Sequence, residues 1–409
     1  MSRTDTGRSL SEAEEAETPS LDHVTYLAGE IGPRGTGSMG ESRAADYVAD
    51  QLSRMEIQVE RQHFRAVNSQ NAFAVAIDMV ALLAIVVYPI GGLISRIIST
   101  ALGLAAPVLL WQTIRMSNNP LRFFLPKVES QSVIGRVPPK GETRKRAVIL
   151  AHLDTNRCRL AWQSSMARWL EPLTWLTFIM LALPGLLFLA GLLLDDGGWL
   201  WWISLLPAAY ILGTLVTLWK DERTPFSPGA HDNASSVAVT LEIGRRLVNA
   251  PLENFETWLA FTGAEETDHA GLYSLLNAYP ALMRQAIFIG LEGVGGGEIV
   301  YLTRQGLCFH FKPESSLLAL AGRVSANQPQ LQIGPGIMNM EDEVGTLRRR
   351  NYAAIDIAGR DAITGTLPYW HRPDDTPDKV SAQALERTTN FVMAMLCELD
   401  QEERICKSL

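Results

Sequence analysis

Four long apolar blocks limit what this chain can fold into more than any other feature of its sequence. They are residues 72–94, 97–114, 173–194 and 199–219, and each is about 18–23 residues long. At a helical rise of about 1.5 Å per residue, each can cross a bilayer core of about 30 Å. The single charge inside them is Asp78. A core helix of a water-soluble protein would carry a polar stripe at 3.6-residue spacing, and these blocks carry none. Ser95 and Arg96 separate the first pair, and residues 195–198 separate the second. The pattern predicts two transmembrane helical hairpins, over residues 70–116 and 170–220. Trp199, Trp201, Trp202 and Trp219 stand at block ends, as interfacial aromatics do.

Each hairpin returns the chain to the side it left, so all polar segments are expected on one face of the membrane. That side carries Arg61, Arg65, Arg115, Arg122, Lys127, Arg157, Arg159, Arg168, Lys220 and Arg223, and the turn side carries Arg96. Cationic flanks stay in the cytoplasm, so the polar domain is expected to be cytoplasmic. It comprises residues 21–68, 117–169 and 221–409, and residues 1–20 read as a mobile acidic tail. A net charge of −8 speaks against a nucleic-acid partner. Cys158, Cys308, Cys397 and Cys406 form no CxxC pair and read as buried free thiols.

The polar segments follow an α/β pattern. Residues 21–55 read as helix, loop, helix, interrupted at Pro33, Gly35 and Gly37. IQVERQHF alternates as a strand and SQSVIGRVP as its partner. RAVILAH, ETWLAFTG and AIFIGLEG are continuous apolar runs, the mark of strands buried on both faces. NASSVAVTLEIGRRLVN and HAGLYSLLNAY are amphipathic helices between them. The expected fold class is α/β, a mostly parallel mixed sheet flanked by helices.

Ligands in such folds collect at the carboxyl ends of strands. His152 ends RAVILAH, Glu265 and Glu266 follow ETWLAFTG, and Glu292 ends its strand. Asp232 opens a helix after a Pro-Gly turn, and His371 lies in a loop rich in Pro and Asp. Alone, an HxD motif, an acidic pair or an Asp before a helix is most often structural. Together, two histidines and several carboxylates make the donor set of a two-zinc site, which implies metal-assisted hydrolysis.

The motifs run in a fixed order: His152 and Asp154 as HxD, GAHDNAS at 229–235, GAEE at 263–266, LE at 291–292, and HRPDDTPD at 371–378. With the opening run YLAGEIGPRGTGSMGESRAADYVADQL, this resembles the M28 family of zinc aminopeptidases, and the spans resemble its membrane-embedded branch. The resemblance implies a zinc-exopeptidase-like fold and two zinc ions. His152, Asp232 and Glu292 would hold one ion. Asp232, Glu266 and His371 would hold the other, with Asp232 bridging. Glu265 would be general base and acid, and Asp154 would orient His152. It implies a peptide substrate with a free N-terminus. Ser236 stands where the family often has Gly, and Glu292 where soluble members have Asp. His231, His269 and His310 are read as structural or peripheral. Because the second hairpin adjoins the motifs, the site is expected near the membrane surface, with membrane-associated substrates. Two other functions share the fold: an inactive scaffold protein, and a single-zinc acyltransferase like a glutaminyl cyclase.

Overall fold

A computed structural model describes residues 19–115, 119–159, 165–194 and 198–408. Most of the expected acidic tail, residues 1–18, lies outside them. Pro19 and Ser20, counted in that tail, instead begin a helix, and Ser20 is buried. The helices of the N-terminal part are α1 (Pro19–Val24), which continues as a π-helical turn, and α2 (Met39–Arg54). Strand β1 (Gln58–Val67) follows, then the first apolar pair, α3 (Asn71–Val87) and α4 (Gly92–Ile114). β2 (Lys127–Val137) and β3 (Lys145–His152) lead to the second pair, α5 (Leu170–Leu194) and α6 (Trp199–Asp221). Next come α7 (Ser236–Asn249), β4 (Phe255–Thr262), α8 (Glu265–Asp268), α9 (Ala270–Ala278) and α10 (Pro280–Gln285). β5 (Ile287–Glu292), β6 (Glu298–Gln305), α11 (Ser315–Asn327), β7 (Gly334–Met338), α12 (Glu343–Arg349), β8 (Ala353–Arg360) and α13 (Ala382–Ser408) complete the chain.

The strands form one eight-stranded sheet in the order β1-β2-β4-β3-β5-β8-β6-β7. Its centre, β4-β3-β5-β8, is parallel; β2 runs antiparallel to both its neighbours, and β6 runs antiparallel to β8 but parallel to β7. The alternation of β3 divides the core. Ala147, Ile149 and Ala151 pack with Leu241 of α7 and Phe391 of α13. Val148 and Leu150 face Leu272 and Leu275 of α9 and Leu347 of α12. Both faces of the central strands are thus dry, which is why their sequences are apolar without alternation.

β1 runs antiparallel to β2, and β2 antiparallel to β4, so β1 points the same way as β3 and β4. The first helical hairpin leaves the carboxyl end of β1 and returns to the start of β2. The second leaves beyond the carboxyl end of β3 and returns ahead of α7. Both hairpins therefore spring from the one edge of the sheet where an α/β fold places its ligands.

α3 to α6 are four helices long and apolar enough to cross a membrane. Their mutual packing supplies two small clusters, one around Ile77, Ala81, Ala106, Leu181 and Ile211, the other around Tyr88 and Phe188. Leu83, Val86, Leu206 and Val216 project outward instead. Asp78 turns inward and accepts a hydrogen bond from Thr214 of α6 at 2.7 Å, the inward pairing expected of an intramembrane carboxylate. The first turn is displaced from its expected place. The break falls at Gly91 and Gly92, both with φ above +80°, rather than at Ser95 and Arg96. Pro89 cannot continue the first helix. Ser95 lies in the first turn of α4, where its hydroxyl donates to the Gly91 carbonyl.

The two hairpins meet at glycine. A Cβ on Gly103 would lie 2.7 Å from Gly185 Cα, and one on Gly185 would lie 2.5 Å from the Gly103 carbonyl carbon. Helices in lipid associate through such small-residue contacts. Gly185→Leu is expected to destabilise the bundle by about 1–3 kcal/mol. Thermal unfolding in detergent checks this, and an unchanged midpoint would show that α4 and α5 do not pack as described.

Candidate active site

The parallel register Leu150↔Gly290 carries His152 of β3 alongside Glu292 of β5. β4 ends beside His152, at Thr262. The chain then turns through Ala264, in a left-handed conformation at φ 53°, to start α8 with Glu265 and Glu266. Asp232 precedes α7, and His371, also left-handed at φ 51°, closes the cluster from the loop after β8. Left-handed backbone in non-glycine residues costs energy, and at Ala264 and His371 it sits beside the clustered side chains.

The side chains the sequence singled out converge. Asp232 presents Oδ1 to His152 Nε2 and Oδ2 to His371 Nε2, each at 3.1 Å. His152 Nε2 is also 3.1 Å from Glu292 Oε1, and His371 Nε2 is 3.1 Å from Glu266 Oε1. Glu265 Oε2 stands 4.0 Å from His152 Nε2. Each Nε2 thus faces two carboxylate oxygens, and one N–H cannot serve both. Nitrogen and oxygen donors grouped in two sets around one shared carboxylate suit cations better than protons. Among the described residues, His152, Asp232 and Glu266 already bring a ligand atom each within 4.8 Å of one another.

Burial and mutual charge set the protonation. Burial opposes a charged imidazole, yet the carboxylates beside His371 hold its pKa up at about 9. His152 is raised well above its ordinary value by Glu292 and Glu265, against the effect of burial. Burial raises Glu292 to about 7, partly offset by His152. Burial also raises Glu265 well above the ordinary carboxylate range, assisted by Glu266, Glu292 and Glu343. Asp232 moves the other way, because hydrogen bonds from both histidines outweigh its burial.

Asp154 acts differently from expectation. His152 Nδ1 is 3.0 Å from the Asp154 backbone carbonyl and 3.7 Å from its carboxylate. The carboxylate accepts the backbone N–H groups of Glu265 and Glu266, at 3.0 and 3.2 Å, and the Thr36 hydroxyl. It caps the first turn that carries the acidic pair. His231 turns to Asp375, at 3.0 Å, and Asp375 also accepts the backbone N–H groups of His231 and Asp232. His269 is not peripheral, since its Nε2 lies 3.3 Å from Glu265 Oε1 and Nδ1 lies 3.0 Å from the Thr346 hydroxyl. Burial lowers its pKa to about 3, so the ring is neutral.

Several residues at the site were given no role by the sequence. Arg34 donates to the carbonyls of Leu153, Gly32, Leu27, Pro228 and Gly229. Glu41 accepts from Gly37 N, Ala264 N and the Ser130 hydroxyl. Asn233 bridges the Leu291 carbonyl, Glu292 Oε2 and Gly293 N. Asn156 donates to Glu266 Oε2 at 2.9 Å. Of the described cysteines, Cys158 and Cys308 are half-buried and Cys397 is exposed, all as free thiols, so the expected burial does not hold.

Residues 219–396 match the family described as Peptidase family M28. That stretch of the chain is thus similar to the peptidase M28 domain. Aminopeptidase YwaD of Bacillus subtilis is 26% identical over 195 residues, which cover 46% of this chain and 41% of YwaD. Endoplasmic reticulum metallopeptidase 1 of Rattus norvegicus is 30% identical over 193 residues, covering 44% of this chain and 20% of the relative. The matches therefore span less than half the length of these curated relatives. A solved structure of BSAP, a zinc aminopeptidase from Bacillus subtilis, superposes with a TM-score of 0.54 at 13% identity, covering 93% of this chain and 94% of BSAP. A glutaminyl cyclase from Bacteroides thetaiotaomicron superposes equally, with a TM-score of 0.54 at 16% identity, covering 93% of this chain and 96% of the cyclase. At these identities the likeness to solved structures is one of fold.

Asn156 holds one oxygen of Glu266 while the other faces His371. Outer partners of this kind are worth about 10–100-fold in metal affinity. Asn156→Ala is expected to weaken zinc binding by about that factor, with far-UV circular dichroism unchanged. Zinc titration of chelator-stripped protein checks it, and an unchanged affinity would leave Asn156 without a positioning role.

Proposed function

We propose that this chain is a membrane-anchored metallopeptidase that removes residues from the free N-terminus of peptides. The observation that carries the reading is the division of the Asp232 carboxylate between two histidine-centred sets, with Glu265 beside them. His152, Asp232 and Glu292 would hold one zinc ion, and Asp232, Glu266 and His371 a second. Bound zinc supplies Lewis acidity, which polarises a carbonyl and acidifies water.

The protein groups do the remaining work. Glu265 is the general base and later the acid: it takes the proton of the attacking water and returns it to the leaving amine. Burial and the neighbouring carboxylates favour its protonated form in the metal-free cluster. Ions held by the neighbouring ligands would favour its charged form, the form in which Glu265 can accept a proton. Asp154 fixes the start of α8, and so the direction of Glu265. The neutral His269 ring can donate a hydrogen bond to Glu265 Oε1 and hold that side chain in place.

Glu265→Gln is expected to lower peptide turnover by about 100- to 10,000-fold while zinc content is retained. Turnover within tenfold of the unaltered protein would remove Glu265 as the base. The expected stoichiometry is two zinc ions per chain by elemental analysis. One ion per chain together with cyclisation of N-terminal glutamine would favour the acyltransferase reading. Zinc-free protein with unaltered folding would favour the scaffold.

The domain-side ends of the spans carry Arg115, Arg168, Lys220 and Arg223, whereas the turn side carries Arg96. By the positive-inside rule the catalytic domain faces the cytoplasm. A C-terminal tag should be digested by protease in sealed inside-out vesicles. Protection of the tag there would reverse the orientation.

A further inference from the structure

Asp232, Glu265, Glu266, Glu292 and His371 floor a cavity of about 200 Å³. One wall of it comes from the helical hairpins: Gln70 from the residue before α3, Ile114 from the last position of α4, and Leu170 from the first position of α5. Met340, Leu367 and Trp370 of the catalytic domain face this wall. The hairpin ends are fixed in place. Arg349 donates to the Ile114 carbonyl at 3.2 Å and to Glu341 at 2.8 Å. Arg122, in the segment after α4, pairs with Asp268 of α8 at 3.2 Å. Gln70 accepts from Arg159 and from Asn156, which also holds Glu266.

With α3 to α6 crossing a bilayer, as proposed above, these helix ends lie at the level where the spans leave it. Arg115 stacks over Trp111 at 4.8 Å, Arg168 over Trp169 at 5.6 Å and Arg223 over Trp219 at 3.7 Å. Each pair sits at the domain-side end of a span, where aromatic rings settle among headgroups and long cations extend toward the water. Phe123 and Phe124, a few residues beyond α4, are more than four-fifths exposed. An exposed aromatic pair next to a span end has the headgroup layer as its natural surroundings. Ile114 and Leu170 fall within one to three residues of Trp111 and Trp169, which would set the hairpin wall of the cavity at the membrane surface.

We propose that the hairpins form part of the substrate site and that the substrate is a peptide held on the lipid surface. Its N-terminal segment passes along the Ile114–Leu170 wall to the cluster from the headgroup layer. This rests on the peptidase reading above and adds the source of the peptide and the side from which it enters. A cavity filled from bulk water would need no wall built from the ends of apolar spans, and no exposed phenylalanine pair beside it.

The test uses the full-length, zinc-loaded protein in phosphatidylcholine nanodiscs. One N-terminal sequence is presented in three forms: free, lipid-tethered through a linker of about six residues, and lipid-tethered through about twenty. Six extended residues reach only about 20 Å from their anchor. The expected result is that the short tether is cleaved as fast as the long one, both with an apparent KM at least tenfold below that of the free form. Ile114→Glu, with zinc content unchanged, should raise the KM for the short tether about tenfold. Cleavage of the long but not the short tether, or an unchanged KM in Ile114→Glu, overturns entry from the membrane and leaves the peptidase reading standing. No cleavage of any form overturns both.

Discussion

The buried guanidinium of Arg34 is the interaction on which the geometry of the site depends. It is 1% exposed, and it donates to carbonyls from three separate stretches of chain. Leu153 follows His152, Pro228 and Gly229 precede Asp232, and Leu27 and Gly32 belong to the N-terminal turn. One planar, multidentate donor thereby sets the distance between the loop after β3 and the loop before α7, which carry the first histidine and the shared carboxylate. Burial lowers its pKa only to about 10, with Asp375, Asp232 and Asp154 opposing the drop, so the group stays charged at neutral pH. Arginine suits this task because its fork presents several donors in fixed directions, whereas a lysine would offer a single point of attachment. The same charge partly balances the acidic cluster, so Arg34 serves geometry and electrostatics at once.

That balance is incomplete. Asp154, Asp232, Glu265, Glu266 and Glu292 surround two histidines. Behind them Glu41 and Glu343 are each pushed up to about 8, chiefly by burial. A buried excess of carboxylates is costly unless cations or protons neutralise it. The protons are held on imidazoles that each face two acceptors, an arrangement that loses little when the proton is replaced by a metal. Metal binding at this cluster would therefore be coupled to proton release, and its strength would rise as the histidines lose their protons.

The sequence made the strands and the motif-bearing side chains legible because both are local signals. β3, β4 and β5 are unbroken apolar runs, and His152, Glu265, Glu266 and Glu292 sit at or just past their ends. What could not be read were the residues that act through backbone atoms far along the chain. Arg34 reaches carbonyls 119 and 195 positions away, and Glu41 reaches Ala264 across 223. Neither leaves a periodic or spacing signature. Asp154 was legible as a partner of His152, but hydrogen-bond geometry decides that its carbonyl meets the ring while its carboxylate caps α8. The displaced turn at Gly91 has a local cause that composition does capture. Pro89 and the two glycines mark the break, and the polar Ser95–Arg96 pair merely lies one helical turn further on.

The position of the hairpins follows from sheet direction. β1, β3 and β4 all point to the same edge, so an insertion after β1 and another after β3 must emerge beside the groups those strands deliver. Insertions at the opposite edge would have stood away from the site. Instead the first hairpin begins at Gln70, which shares Asn156 with Glu266. A tilt of α3 relative to the sheet would thus act on Glu266 through two hydrogen bonds. A bilayer orienting the four apolar helices would therefore also constrain the carboxylate facing His371. In this architecture the proposed anchoring and the proposed chemistry are coupled by construction, because the apolar hairpins leave the same edge of the sheet that gathers the site residues.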